Sequence, residues 1–173
     1  MKYLAAAMLP ILLVACESMK TGHNAVAGTD FAGYQTFSWA AEKSLASVIP
    51  QASRADLETL VKASTRAVLE GKGYRFESDR SRADFVLFFT VGGRNRLVVE
   101  GEDFQSAVGW SNANLTDYQQ GRLAIDIYEA GSRTPIWQGW ANQSVGGGDQ
   151  ANPTKLIDRA VTAILANFPG RVG

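Results

Sequence analysis

One cysteine and one histidine in 173 residues exclude several kinds of chemistry at the outset. With Cys16 alone, no intramolecular disulfide can form. A zinc site built from cysteine and histidine lacks its ligands. A cysteine–histidine nucleophilic pair fails too, because His23 lies in a stretch that reads as linker. An excess of one charge is also missing: 17 basic residues balance 17 acidic ones. No basic stripe is left to follow a phosphate backbone, so nucleic acid is not an expected partner. No apolar run approaches the ~20 residues that a helix needs to span a bilayer. Glycine, by contrast, is plentiful at 17 residues, so turns and loops should be many.

The first residues read as a processing signal. Lys2 and the free amine give a positive start, and residues 4–15 form an apolar run interrupted only by Pro10. That is the pattern of an export signal. It ends in Leu13-Val14-Ala15-Cys16, which resembles a bacterial lipobox. The resemblance implies removal of residues 1–15 and acylation of Cys16 with diacylglycerol and a further chain such as palmitate. A thiol suits that reaction because it is a strong nucleophile near neutral pH. Two or three acyl chains anchor stably where one is marginal. The membrane, reached through Cys16, is then the first partner. Glu17 follows where an aspartate tends to retain such proteins in the inner membrane. The expected location is the outer membrane, facing the periplasm.

The expected mature chain, 16–173, has 158 residues, enough for one domain with a real core. Residues 16–28 are expected to hold the lipidated cysteine and a flexible tether, since residues 17–28 show no periodicity. Residues 29–170 are expected to form a single domain.

Within it, residues 30–39 alternate Tyr34, Thr36 and Ser38 with Gln35, Phe37 and Trp39, which predicts a strand. Residues 41–50 read as a loop. Residues 53–71 read as a helix capped by Ser53, with Leu57, Leu60, Val61, Ser64, Val68 and Leu69 on one stripe. Gly71-Lys72-Gly73 stops it. Residues 83–91 are apolar on both faces and predict a central strand. A turn at Gly92-Gly93-Arg94-Asn95 and a strand over 96–100 follow, then a long irregular segment over 101–116. Residues 120–129 and 134–142 alternate clearly and are joined by Ala130-Gly131-Ser132-Arg133, which predicts an antiparallel hairpin. Trp137 and Trp140 fall on opposite faces of its second strand. Residues 143–151 read as a loop. Asn152-Pro153 starts a second helix, whose stripe is Leu156, Ile157, Ala160, Val161, Ile164, Leu165 and Phe168. The fold class is therefore α+β: a mostly antiparallel sheet with two amphipathic helices on one face, in the order strand, helix, strands, helix.

The order of these pieces resembles a bacterial lipoprotein domain of unknown function, DUF4136-like. The likeness lies in Asp30-Phe31 with Tyr34, Thr36, Phe37 and Trp39, then Gly71-Lys72-Gly73-Tyr74 and Ala83-Asp84-Phe85. It continues through Gly121 with Leu123 and Ile125-Asp126, then Pro135-Ile136-Trp137 and Gly139-Trp140-Ala141. Ile164-Leu165-Ala166 and Phe168-Pro169 complete it. It covers nearly the whole mature chain and implies export and a lipid anchor. It brings no catalytic residue to carry over.

Candidate chemistry is sparse. No catalytic set, metal ligands or cofactor site is expected. Asp126, inside a strand, is expected to be a solvent-facing residue or a hydrogen-bond partner for a nearby loop, or else part of a ligand site with Glu100, Asp103 or Asp117. The aromatics are the better lead, because tryptophan offers a large apolar area with a polar edge. Phe104, Trp110, Trp140 and Asp126 mark the candidate contact surface. The expected function is a structural or protein-interaction role near the membrane, with an envelope protein as partner and no enzymatic activity. The alternatives are a module for an apolar ligand, lipid or glycan, and a carboxylate-dependent hydrolase.

Overall fold

The computed structural model describes residues 19–41, 45–47, 51–92, 122–143 and 152–171. Four of its strands carry the sheet's antiparallel part. They are β1 (Lys20–Ala25), β5 (Phe85–Val91), β6 (Arg122–Glu129) and β7 (Pro135–Asn142). The order β1-β7-β6-β5 continues through β2 (Thr36–Trp39) to β4 (Arg75–Phe76). β3 (Leu45–Ser47) lies parallel to β5 beyond the stretch that β2 covers. The antiparallel pairs are long, and the parallel ones span two or three residues each.

Two helices, α1 (Gln51–Gly71) and α2 (Pro153–Leu165), pack on one sheet face. That face is apolar because strand alternation aims Phe85, Leu87, Phe89, Leu123, Ile125, Ile127 and Trp137 towards it. From the helices come Val61, Leu69, Ile157, Val161, Ile164 and Leu165, joined by Phe168 just past α2. Each such side chain contributes roughly 1.5–3 kcal/mol when fully buried. α2 begins as its sequence predicts: the Asn152 side chain accepts from the Lys155 N–H at 3.0 Å, and Pro153 takes the first helical position. The fold class agrees with the sequence reading.

Four local expectations need correction. Lys20–Ala25, read as tether, is a strand paired residue for residue with β7. Its polar composition carries no strand signal, and the pairing comes from the exposed ladder of β7. Residues 45–47, read as loop, add a strand to β5. Within 30–39 the strand is confined to Thr36–Trp39, because Phe31–Gly33 forms a 3-10 turn capped by Asp30. α1 starts at Gln51, so Ser53 lies inside the helix rather than capping it; nothing between Gln51 and Ser53 opposes helix. The strand expected at 96–100 and the irregular segment at 101–116 lie outside the described residues.

Candidate functional site

Of the candidate contact residues, Trp140 and Asp126 are described, and both sit on the sheet face opposite the helices. Strand alternation puts Arg122, Ala124, Asp126 and Tyr128 of β6 there, beside Gln138, Trp140 and Asn142 of β7. Val86, Phe88 and Thr90 of β5 continue it. The β6 residues of this face are buried, whereas Phe88, Thr90, Gln138, Trp140 and Asn142 are half-buried. Ala40, Val86 and Tyr128 form a small apolar cluster with Phe88 and Ala130 against it.

Asp126 is 4% exposed and accepts a hydrogen bond from the Gln138 side-chain amide across the strand pair. Burial pushes its carboxyl up to about 6, although that hydrogen bond and the Arg122 charge pull the other way. Burial, then the Asp126 charge, raises the neighbouring Tyr128 phenol. On the same face, the Thr90 hydroxyl and the Asn142 side-chain oxygen are shielded from solvent with no hydrogen-bond partner among the described residues.

Trp140 is half-buried. It lies over Gly22 of β1, where an added Cβ would come within 2.3 Å of the indole. The Arg122 guanidinium carbon stands 5.3 Å from its ring centroid. Trp140 thus packs between the edge strand and β6. Trp137 points to the other face, as alternation predicts, and is 1% exposed within the main core. His23 is solvent-exposed, as expected, but it belongs to β1, its ring 6.2 Å from that of Trp137.

The remaining sequence candidates, Cys16, Phe104 and Trp110, lie outside the described residues. So do Glu100, Asp103 and Asp117, the acids considered as partners for Asp126. Among the described residues, no group of three or more histidine, cysteine or acidic side chains could hold a metal ion. No described helix is long and apolar enough to cross a membrane.

Met19, three residues after Cys16, packs partly buried against the main core, and β1 starts at Lys20. No apolar alternation in Lys-Thr-Gly-His-Asn-Ala signals this.

The chain's similarities are of two kinds. No curated protein matches it. Among solved structures, a DUF4136 family protein from Bacteroides thetaiotaomicron is 13% identical, with a TM-score of 0.57 over 86% of this chain and 94% of that one. A PDZ domain protein from Parabacteroides distasonis is 14% identical, with a TM-score of 0.51 over 87% of this chain and 36% of that one. The PelC dodecamer from Paraburkholderia phytofirmans is 12% identical, with a TM-score of 0.49 over 90% of this chain and 100% of that one. At such identities the first two likenesses are of fold alone. The family model described as "Domain of unknown function (DUF4136)" matches residues 21–170, from within β1 to just beyond α2, and the chain belongs to that family.

Proposed function

We propose that this protein is exported, acylated on Cys16 and held in the bacterial envelope, where it binds a protein partner near the membrane rather than catalysing a reaction. The outer membrane, on its periplasmic side, is the favoured location. The observation that carries the reading is the position of Cys16. It follows Leu13-Val14-Ala15 at the end of an export signal, and it precedes the packed Met19 by three residues. Acyl chains there would hold the domain against the bilayer with almost no slack.

Metabolic labelling with an alkyne analogue of palmitate tests the anchor. The wild type is expected to carry label and to sediment with membranes, and Cys16→Ser to lose both. Label retained by Cys16→Ser, or absent from the wild type, would refute the anchor. Photocrosslinking in cells, from residues placed at Gly131 and Trp110, tests the partner. One dominant protein adduct is expected, and its absence at both positions in well-expressed protein would count against protein binding.

A further inference from the structure

The folded domain has two distinguishable ends, and the anchor joins only one of them. β1 enters the sheet at Lys20, opposite Asn142, the last residue of β7. Asn142 is in turn opposite Arg122, the first residue of β6. The Gly92 N–H donates to the Arg122 carbonyl, which brings the C-terminal end of β5 to the same side. α2 finishes towards the opposite end, since Phe168, just past it, lies 5.7 Å from Phe85, which pairs with Glu129 at the close of β6, while Ile164 sits over Gly139. At 1.5 Å per residue, Lys155 then lies ~14 Å from Ile164, level with or beyond the Asn142 end. Both Lys20 and Lys155 are exposed.

The other end carries the β6–β7 turn with Gly131 and the C-terminus of α1 at Gly71. The Lys72 ammonium donates to the Phe168 carbonyl at 2.8 Å, so α1 and α2 finish together there. The eight residues of β6 separate the two ends by ~25 Å.

We infer that the end bearing Lys20, Asn142, Arg122 and the start of α2 rests on the bilayer, and that the Gly71 and Gly131 end points away from it. The inference rests on the lipid anchor proposed above. From Cys16 to the packed Met19 there are three Cα steps, at most ~11 Å. A twelve-residue flexible tether would let the domain tumble freely above the membrane. Two intervening residues, Glu17 and Ser18, do not. The strand direction of β1 then carries the chain away from the membrane, and the exposed ammonium groups of Lys20 and Lys155 face lipid phosphates.

The test uses single cysteines introduced into the full-length protein, matured in its host and reconstituted in vesicles. Lys20→Cys and Lys155→Cys report the near end, and Gly71→Cys and Gly131→Cys the far end. A Cβ at either of those glycines meets nothing within 4 Å. Each thiol carries a fluorophore, and the vesicles, of phosphatidylethanolamine and phosphatidylglycerol, carry a quencher on their headgroups. Parent protein without an added cysteine controls for labelling of Cys16, and its intact mass reports acylation. Quenching several-fold greater at 20 and 155 than at 71 and 131 is expected. Equal or reversed quenching in acylated protein would overturn the orientation and leave the anchor standing. An unacylated, label-reactive Cys16 would overturn both.

Discussion

Gly22 on β1 lies directly beneath the indole of Trp140 on β7, and any side chain added there would require the ring to shift. An added Cβ would sit 2.3 Å from one ring carbon and 2.7 Å from another. The indole in turn lies under the Arg122 guanidinium. This stack holds an edge strand whose own sequence has little reason to be one.

Gly22→Ala is therefore expected to lower stability by about 1–3 kcal/mol, the usual range for forced overpacking. The loss should be concentrated in β1. Urea unfolding gives the magnitude, and hydrogen exchange over Lys20–Ala25 locates it. Unchanged protection of those amides would show that Trp140 moves aside without consequence.

Asp126 makes a prediction with a definite sign. Its folded-state proton affinity is raised, to about 6 from an ordinary 3.8. The native state therefore binds the proton more tightly than the unfolded chain. Its contribution is most favourable below about pH 4 and is lost as pH rises through 6. Asp126→Asn keeps an acceptor for Gln138 and removes the buried charge. The variant is expected to gain stability over the wild type above pH 6, with a ceiling of roughly 3 kcal/mol, and little below pH 4. Thermal melts from pH 4 to 8 measure this. A variant less stable than wild type at pH 8 would mean that Arg122 depends on the ionised carboxylate.

Asp84 behaves in the opposite way. One of its oxygens accepts from the Gln35 N–H, the Thr36 N–H and the Thr36 hydroxyl, each at 2.8 Å. Partial burial alone would raise its carboxyl, but these hydrogen bonds outweigh it and hold the group below the ordinary carboxylate range. The stabilisation is complete above that range and disappears as pH falls through the lowered value. Asp84→Ala should cost about 1–3 kcal/mol at pH 7, the scale of hydrogen bonds to a charged group, and less at pH 3. Equal losses at both pH values in denaturant titrations would contradict an electrostatic tie.

Lys72 closes the far end of the helical layer through the carbonyls of Phe168 and Ala166, at 2.8 and 3.4 Å. Lys72→Met keeps the apolar stem and removes the donor. A loss of about 1 kcal/mol is expected, together with faster exchange of the amides after Leu165. No change in either would assign those carbonyls to water.

Periodicity and turn chemistry made most of the fold legible. The stripe of α2, its Asn152-Pro153 start and the alternation of β6 and β7 are local signals, and the structure realises each of them. Both tryptophans of β7 fall on the faces that alternation assigns. The candidate site was legible only in part. Trp140 looked like a contact residue because tryptophan at a sheet face often is one. That its ring lies over Gly22 depends on a strand 118 positions earlier in the chain.

The amino-acid sequence by itself determined the family, the fold class and the two apolar helix faces, because each is written in residues close together along the chain. Tertiary structure alone decided that Lys20–Ala25 is a strand, that Asp84 ties β5 to β2, and that Asp126 is enclosed. The physical reason is common to all three. A backbone ladder, a hydrogen-bond acceptor and a low-dielectric surrounding are supplied by residues far off in the chain, so no local pattern records them.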